Sequence, residues 1–195
     1  MVMKRPPMYP IVRLALEYLR NRRAAPLPLD GEHLSRHRCW PQDIDIFLEM
    51  NNGRILTILD LGRTGLAQRT GLLGVLRREG WALTLAGISV RFRKRIRPFA
   101  RFTVCSRCVG WDDRFMYLDQ SIWIGETCAM QALVRAVVTD ANGIVPTPRV
   151  QNALGRTQPS PDLPDWVDNW IAADATRPWP PACLSTDQSR KADAA

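Results

Sequence analysis

The sequence predicts an α+β domain in which an antiparallel sheet wraps around one long helix. Three observations lead there. Between residues 53 and 69, Ile55, Leu56, Leu59 and Leu66 recur at helical spacing, and Gly62 permits close packing. After Gly80 the period changes and four strand-like segments follow. The turns between those segments are short, at Gly110-Trp111-Asp112-Asp113 and Gly125-Glu126. Strands joined by short turns pair antiparallel, and a single apolar helix must then cover one face of their sheet.

The elements follow in order. Residues 9–23 read as a helix with Ile11, Leu14, Ala15, Tyr18 and Leu19 on one side and Arg13, Arg20, Arg22 and Arg23 on the other. That pattern has two readings, a helix docked on the domain or a basic amphipathic anchor on a membrane surface. Pro26-Leu27-Pro28-Leu29 ends it. A short strand is expected over 36–41, then an acidic turn at Asp43-Ile44-Asp45. Asn51-Asn52-Gly53 caps the long helix. A second helical piece, 72–79, stops at Gly80.

Leu83, Leu85, Val90 and Phe92 open a long β segment that a basic run through residue 101 continues. Phe102–Val104 starts the next strand, 115–124 gives a third, and 128–139 gives a fourth that ends at Asp140-Ala141-Asn142-Gly143. Asp165–Trp170 reads as a short helix, and the chain from about 176 as disordered. The expected organisation is an N-terminal helix and linker at 1–34, a domain at 35–155 and a Pro/Asp-rich tail at 156–195.

Composition sets the outer bounds. The 195 residues carry a net charge of +8, with 46% hydrophobic and 24% charged residues, an ordinary globular balance. Collagen-like and wholly disordered classes are excluded, and no run of ~18 apolar residues spans a bilayer. The charge is unevenly spread: residues 1–38 are net +5, 39–155 net +5 and 156–195 net −2. Five cysteines form no regular framework, and prolines interrupt any signal-peptide core near the start. A reducing cytoplasm is expected. Cys105 and Cys108 have redox-motif spacing, but residues three apart on a strand face opposite sides, so they read as two ordinary cysteines.

The segment that carries chemistry is Trp40-Pro-Gln-Asp43-Ile-Asp45-Ile-Phe-Leu48-Glu49-Met50-Asn51-Asn52-Gly53-Arg54. A helix start offers free backbone N–H groups and a positive dipole end. Asp45, seven residues before Asn52, stands in the loop leading to that start. A carboxylate there can attack a thioester carbon or activate water, while an N–H at the helix start polarises the carbonyl. Taken alone, Asp43 and Asp45 also suit turn formation, and Asn51 suits a cap.

This segment resembles the hotdog-fold thioesterases of the 4-hydroxybenzoyl-CoA thioesterase type, which show an Asp-x-Asp-x-x-Gly-His-Val-Asn-Asn-Ala pattern before the central helix. The resemblance extends to Asp60-Leu61-Gly62-Arg63. At Gly110-Trp111-Asp112-Asp113-Arg114-x-x-Tyr117 it is similar to the thioesterase-superfamily-member-six subgroup. It covers roughly residues 35–152. Leu48 stands in place of the family's Gly, Glu49 in place of its usual His and Ile55 in place of a common aromatic.

The resemblance implies a hotdog fold and an acyl-CoA thioesterase that releases free acid and CoA. It implies Asp45 as nucleophile or general base and the Asn52 backbone N–H as carbonyl-polarising donor. Asn51, Gly53, Asp60, Arg91 and Arg93 would contact substrate, with Asp43 more structural and Asp60 paired with Arg63. A homodimer or homotetramer is implied, with no metal or redox cofactor, coenzyme A being part of the substrate. The alternative is a non-enzymatic hotdog module that binds acyl-thioesters or a membrane surface.

Six basic residues without an acid lie within 91–101. On a strand, Arg91, Arg93 and Arg95 would share one face. They suit the 3′-phosphate and diphosphate of CoA, or equally the charged protection of an edge strand. Nucleic acid is not expected as a partner, because no recognised nucleic-acid-binding motif accompanies the run. His33 and His37, the only histidines, have no metal-ligand spacing around them. The protein is expected in the cytoplasm, with peripheral membrane contact through residues 9–23 on the second reading of that helix.

Overall fold

The computed structural model describes residues 10–181. The chain divides into two units, the first ending at Asp162 and the second beginning at Leu163. The first holds α1 (Ile11–Asn21), β1 (Glu32–Arg38), a 3₁₀ turn (Pro41–Asp43), α2 (Asn52–Arg69) and α3 (Leu72–Glu79). It continues through β2 (Ala82–Phe92), β3 (Arg101–Trp111), β4 (Met116–Ile124), β5 (Thr127–Asp140), β6 (Gly143–Ile144) and α4 (Thr147–Ala153). The second unit holds α5 (Asp165–Ala175), which starts after Pro164 with Asp165 and Asp168 in its first turn. Acids there suit the helix dipole. The tail beyond residue 181, Cys183 included, lies outside the described residues.

The sheet is antiparallel throughout, in the order β1-β3-β4-β5-β2, with β6 added to β5. It curls around α2, the hotdog arrangement. Ile58, Leu59 and Leu61 of α2 are fully buried in one core cluster with Val104, Ile122 and Met130 of the sheet. Gly62 sets the spacing: a Cβ there would stand 2.6 Å from the Ser106 Oγ. A buried polar cluster lies beside it. Arg63 donates to the Gln120 side-chain carbonyl at 2.6 Å, and Gln120 donates to Ser106 at 2.7 Å and to the Leu59 carbonyl at 3.0 Å. Each of these groups therefore enters the core with a partner, as burial requires.

Four expectations change. The first strand is Glu32–Arg38, earlier than 36–41. Its inward positions are His33 and Ser35, both buried, while Leu34 is 56% exposed. The basic run does not extend β2, which ends at Phe92. The Arg93 and Lys94 N–H groups both turn to the Ala129 carbonyl, at 2.8 and 2.9 Å, and the chain leaves the ladder. Arg93 and Arg95 therefore lie in a loop, not on one strand face with Arg91. The helix α4 starts directly after Pro146, with Thr147 and Pro148 in its first turn, where no helix was expected. Finally, α1 docks through Leu14 and Tyr18 of its expected apolar side and not through the rest. Glu17 is buried, and Ile11, Ala15 and Leu19 face solvent.

Two sequence features prove architectural. In the Gly110–Tyr117 motif, the Asp112 carboxylate accepts the Arg114 and Phe115 N–H groups at 2.7 Å and the Tyr117 hydroxyl at 2.7 Å. The motif thus closes the β3–β4 turn. Cys105 is half-buried and Cys108 buried, and burial pushes each thiol up to about 12. Neither supplies a reactive thiolate at neutral pH.

Candidate active site

The turn that carries Asp45 is a closed loop laid against the start of α2. The Asn51 N–H donates to the Asp43 carbonyl at 2.8 Å, Ile44 bridges Met50, and the Asp45 N–H donates to the Glu49 carbonyl at 2.9 Å. The Leu48 N–H returns to the Asp45 carbonyl at 3.2 Å. These bonds hold Asp45 on one leg and Asn51 on the other. Ile46, Phe47 and Leu48 at the tip are exposed, Ile46 by 89%. Leu48 has φ 57°, the left-handed region that glycine enters without strain.

Asp43 is the anchor of this turn. One of its carboxylate oxygens accepts Arg13 at 2.6 Å and the Trp40 N–H at 2.8 Å, and the other stands 3.3 Å from the Arg54 Nε. The side chain is 1% exposed, so both lone-pair faces are taken within the protein. Asp45 differs. It is half-buried, and its Oδ1 accepts the Phe47 N–H at 2.8 Å. Of the two aspartates, Asp45 is the less enclosed and the less heavily bonded.

The helix start has a simple ledger. The Asn51 side chain accepts the Gly53 N–H at 2.9 Å and the Arg54 N–H at 3.3 Å, while the Ile55 N–H goes to the Asn51 carbonyl. The Asn52 N–H has no partner among the described residues. It projects from the positive end of an 18-residue helix. Gly53 lies in the same first turn, with its N–H committed to the cap.

The loop after β2 closes the other side. The Met50 N–H donates to the Ile96 carbonyl at 2.9 Å, and Glu49 pairs with Arg95 at 3.0 Å. The result is a groove of about 510 Å³ with Asn52, Glu49, Arg93, Lys94 and Arg95 on its polar side and Met50, Ile55 and Phe92 on its apolar side. Asn52 and Arg93 thus share one groove. Arg91 lies on β2 opposite Gln131 and is not on the groove wall. Asp60 is one turn and more further along α2, paired with Arg63, away from this groove.

The structure also places residues that sequence reasoning missed. Lys94 joins Arg93 and Arg95 in the groove because the chain leaves β2 at residue 93. Met50 and Ile96 were hidden because their burial depends on that loop. Of the two histidines, His33 is a core group, 1% exposed against α2, and His37 is half-buried and bonds Ser35 at 2.9 Å. Burial lowers both to about 4, with the nearby Arg69 and Arg13 guanidinium groups adding to the effect. Among the described residues, no group of three His, Cys, Asp or Glu side chains forms a metal-ligand set.

A fold of this kind, with a carboxylate turn feeding a central helix start, belongs to the thioesterase class. The family model described as "Thioesterase-like superfamily" matches residues 39–171, and the chain belongs to that superfamily. A curated relative, Protein THEM6 of Drosophila melanogaster, is 32% identical over 143 residues, covering 69% of this chain and 69% of that protein. Among solved structures, the probable thioesterase YbaW of Escherichia coli superposes with a TM-score of 0.58 at 16% identity, over 63% of this chain and 96% of that one. Slr0204, a 1,4-dihydroxy-2-naphthoyl-CoA thioesterase from Synechocystis, gives 0.55 at 16% identity, over 64% and 96%. At such identities the likeness is one of fold.

Proposed function

We propose that the protein hydrolyses an acyl-CoA thioester to free acid and CoA at the start of α2, with Asp45 supplied by the adjoining turn and the substrate held in the groove that Asn52 lines, of which Asp45 is not itself a wall residue. The observation that carries this reading is the bonding of the Asp43–Asn51 turn. It ties the loop that carries Asp45 to the start of α2, whose Asn52 N–H is the first-turn donor left over after the Asn51 cap. The thioester carbonyl oxygen would accept that N–H, and the helix dipole would favour the charge that builds on it. Asp45 would attack the carbonyl carbon, or take a proton from the water that does. The C–S bond breaks, the thiolate of CoA leaves, and water supplies the oxygen and protons of the products.

The groove's two sides suit the two ends of this substrate. Met50, Ile55 and Phe92 offer an apolar wall to the acyl group, and Arg93, Lys94 and Arg95 offer cations to the CoA phosphates. As the resemblance implies, the working unit is taken to be a homodimer or homotetramer. The exposed Leu85, Ile88 and Phe92 on the edge strand β2 favour such an assembly. A cytoplasmic location is proposed with it; four free cysteines among the described residues fit a reducing compartment.

The test is hydrolysis of an acyl-CoA panel of graded chain length by the wild type and by Asp45→Asn. Activity on at least one acyl-CoA, lost in the variant by ~100-fold or more, is expected. Unchanged hydrolysis by Asp45→Asn would remove Asp45 from the mechanism. Binding without turnover across the whole panel would favour the non-enzymatic acyl-thioester module.

A further inference from the structure

The first helix packs Leu14 on the domain core but turns most of its apolar residues away from it. Ile11, Val12, Ala15, Leu16 and Leu19 fall at offsets that share one helix face. All five are exposed, Val12 by 74% and Leu19 by 59%. The opposite side is fixed to the domain by polar contacts, so the helix cannot roll to hide them. Arg13 holds Asp43, the Gln68 amide donates to the Tyr18 carbonyl at 3.0 Å, and Arg77 donates to the Tyr18 hydroxyl at 3.2 Å. Glu17, the helix's single acid, is buried on that docked side.

The outward face is therefore apolar and free of acidic side chains, and its surroundings are cationic. Arg20 flanks it, and the exposed Arg22 and Arg23 continue it past the last turn. Leu16 and Arg20 also form one wall of an open groove whose far wall presents Arg36, Arg38 and Arg101 with Trp40 and Trp123. Trp40 and Trp123 are 41% and 38% exposed.

We propose that this face of α1 docks on the surface of a bilayer containing anionic phospholipid. The apolar stripe enters the boundary of the acyl layer, the arginines meet the phosphate headgroups, and the tryptophans sit at the interface. Charge complementarity selects this occupant. A second copy seated on the stripe would bring Arg20, Arg22 and Arg23 against their own equivalents, whereas an anionic surface neutralises them. The helix lies along the bilayer: no described helix is long and apolar enough to cross a membrane, and eleven residues reach only ~16 Å. The proposal does not depend on the hydrolytic reading.

Flotation of the full chain with vesicles of phosphatidylcholine, with and without phosphatidylserine, tests it. The wild type is expected to float with phosphatidylserine vesicles and less with phosphatidylcholine alone. The double variant Val12→Asp/Leu16→Asp, and independently Leu19→Asp, should bind at least ~10-fold more weakly, since each places a charge where apolar area is buried. Their melting curves should match the wild type, because the positions are exposed. Arg22→Glu/Arg23→Glu should erase the preference for phosphatidylserine. A wild type that stays with the pellet, or a Val12→Asp/Leu16→Asp chain that floats like the wild type, overturns the proposal. So does a variant whose flotation is unchanged while its mass by light scattering drops from dimer to monomer, which would assign the face to a second copy.

Discussion

Asp43 accepts the Arg13 guanidinium at 2.6 Å, so the first helix is tied directly to the turn that presents Asp45. Both groups are largely withdrawn from water, with side chains 1% and 14% exposed. Removing one member leaves the other buried without its partner, a change that costs about 3 kcal/mol or more. Asp43→Asn is expected to lower the unfolding free energy by that order, and Arg13→Ala by somewhat less because Arg54 remains at the carboxylate. Chemical denaturation of both variants checks this, and equal stability to the wild type would show the pair to be idle.

The groove separates Arg93 from Arg91, although both belong to the same basic run. Arg93→Ala is expected to raise KM for an acyl-CoA by ~10-fold with little change in kcat, the mark of a lost phosphate contact. Arg91→Ala should leave both constants close to the wild type. Steady-state kinetics at fixed ionic strength decide it, and equal effects would assign the basic run a diffuse role.

Leu48 occupies a left-handed backbone conformation at φ 57°. That position costs a side-chain-bearing residue roughly 1 kcal/mol. Leu48→Gly should therefore be more stable than Leu48→Ala by about that amount. Both variants remove the exposed isobutyl group, so the comparison isolates the backbone. Thermal melts of the pair read it directly. The same angle accounts for the family's glycine at this position.

The pH dependence of stability has a definite sign. His33 and His37 fall from 6.5 to about 4 in the folded chain, chiefly through burial. Above pH 6.5 both are neutral folded or unfolded and add no slope. As pH falls from 6.5 toward 4, the unfolded chain takes up protons that the folded chain refuses, and stability falls with it. The loss approaches ~1.4 kcal/mol per pH unit for each histidine. Below about 4 the contribution levels off. Urea titrations at pH 7 and 5 should show the drop, and His37→Gln should shrink it.

The helices at 52–69 and 72–79 were legible because apolar spacing, an Asn cap and a terminal glycine agreed. The turn before α2 was legible through the spacing of Asp43, Asp45 and the Asn pair. What escaped had an inverted or context-dependent signal. In β1 the inward side chains are His33 and Ser35 and the outward one is Leu34, so alternation pointed the wrong way. In α1 the expected stripe is split: Leu14 and Tyr18 meet the domain, while Ile11, Ala15 and Leu19 face out. The end of β2 is set by a single carbonyl, that of Ala129, receiving two N–H groups, which no local pattern announces. The groove's Lys94 and Arg95 followed from that break, and so did the loss of Arg91.

The order of strands also fixes when the domain can form. β1 pairs with β3, and β2, which comes earlier in the chain than β3, pairs with β5 at Ala82–Thr139. A chain emerging from the ribosome therefore presents β1, α2 and β2 with no sheet for any of them to join. Pairing of this reach slows folding, because loop closure precedes the contacts that repay it. The central helix can meet β1 and β3 once β3 is made, but the part of its apolar side that β5 covers stays open until synthesis has passed residue 140. A nascent chain halted after β4 can pair β1, β3 and β4 yet leaves uncovered the apolar surface that β5 closes, and β2 joins the sheet only once β5 arrives.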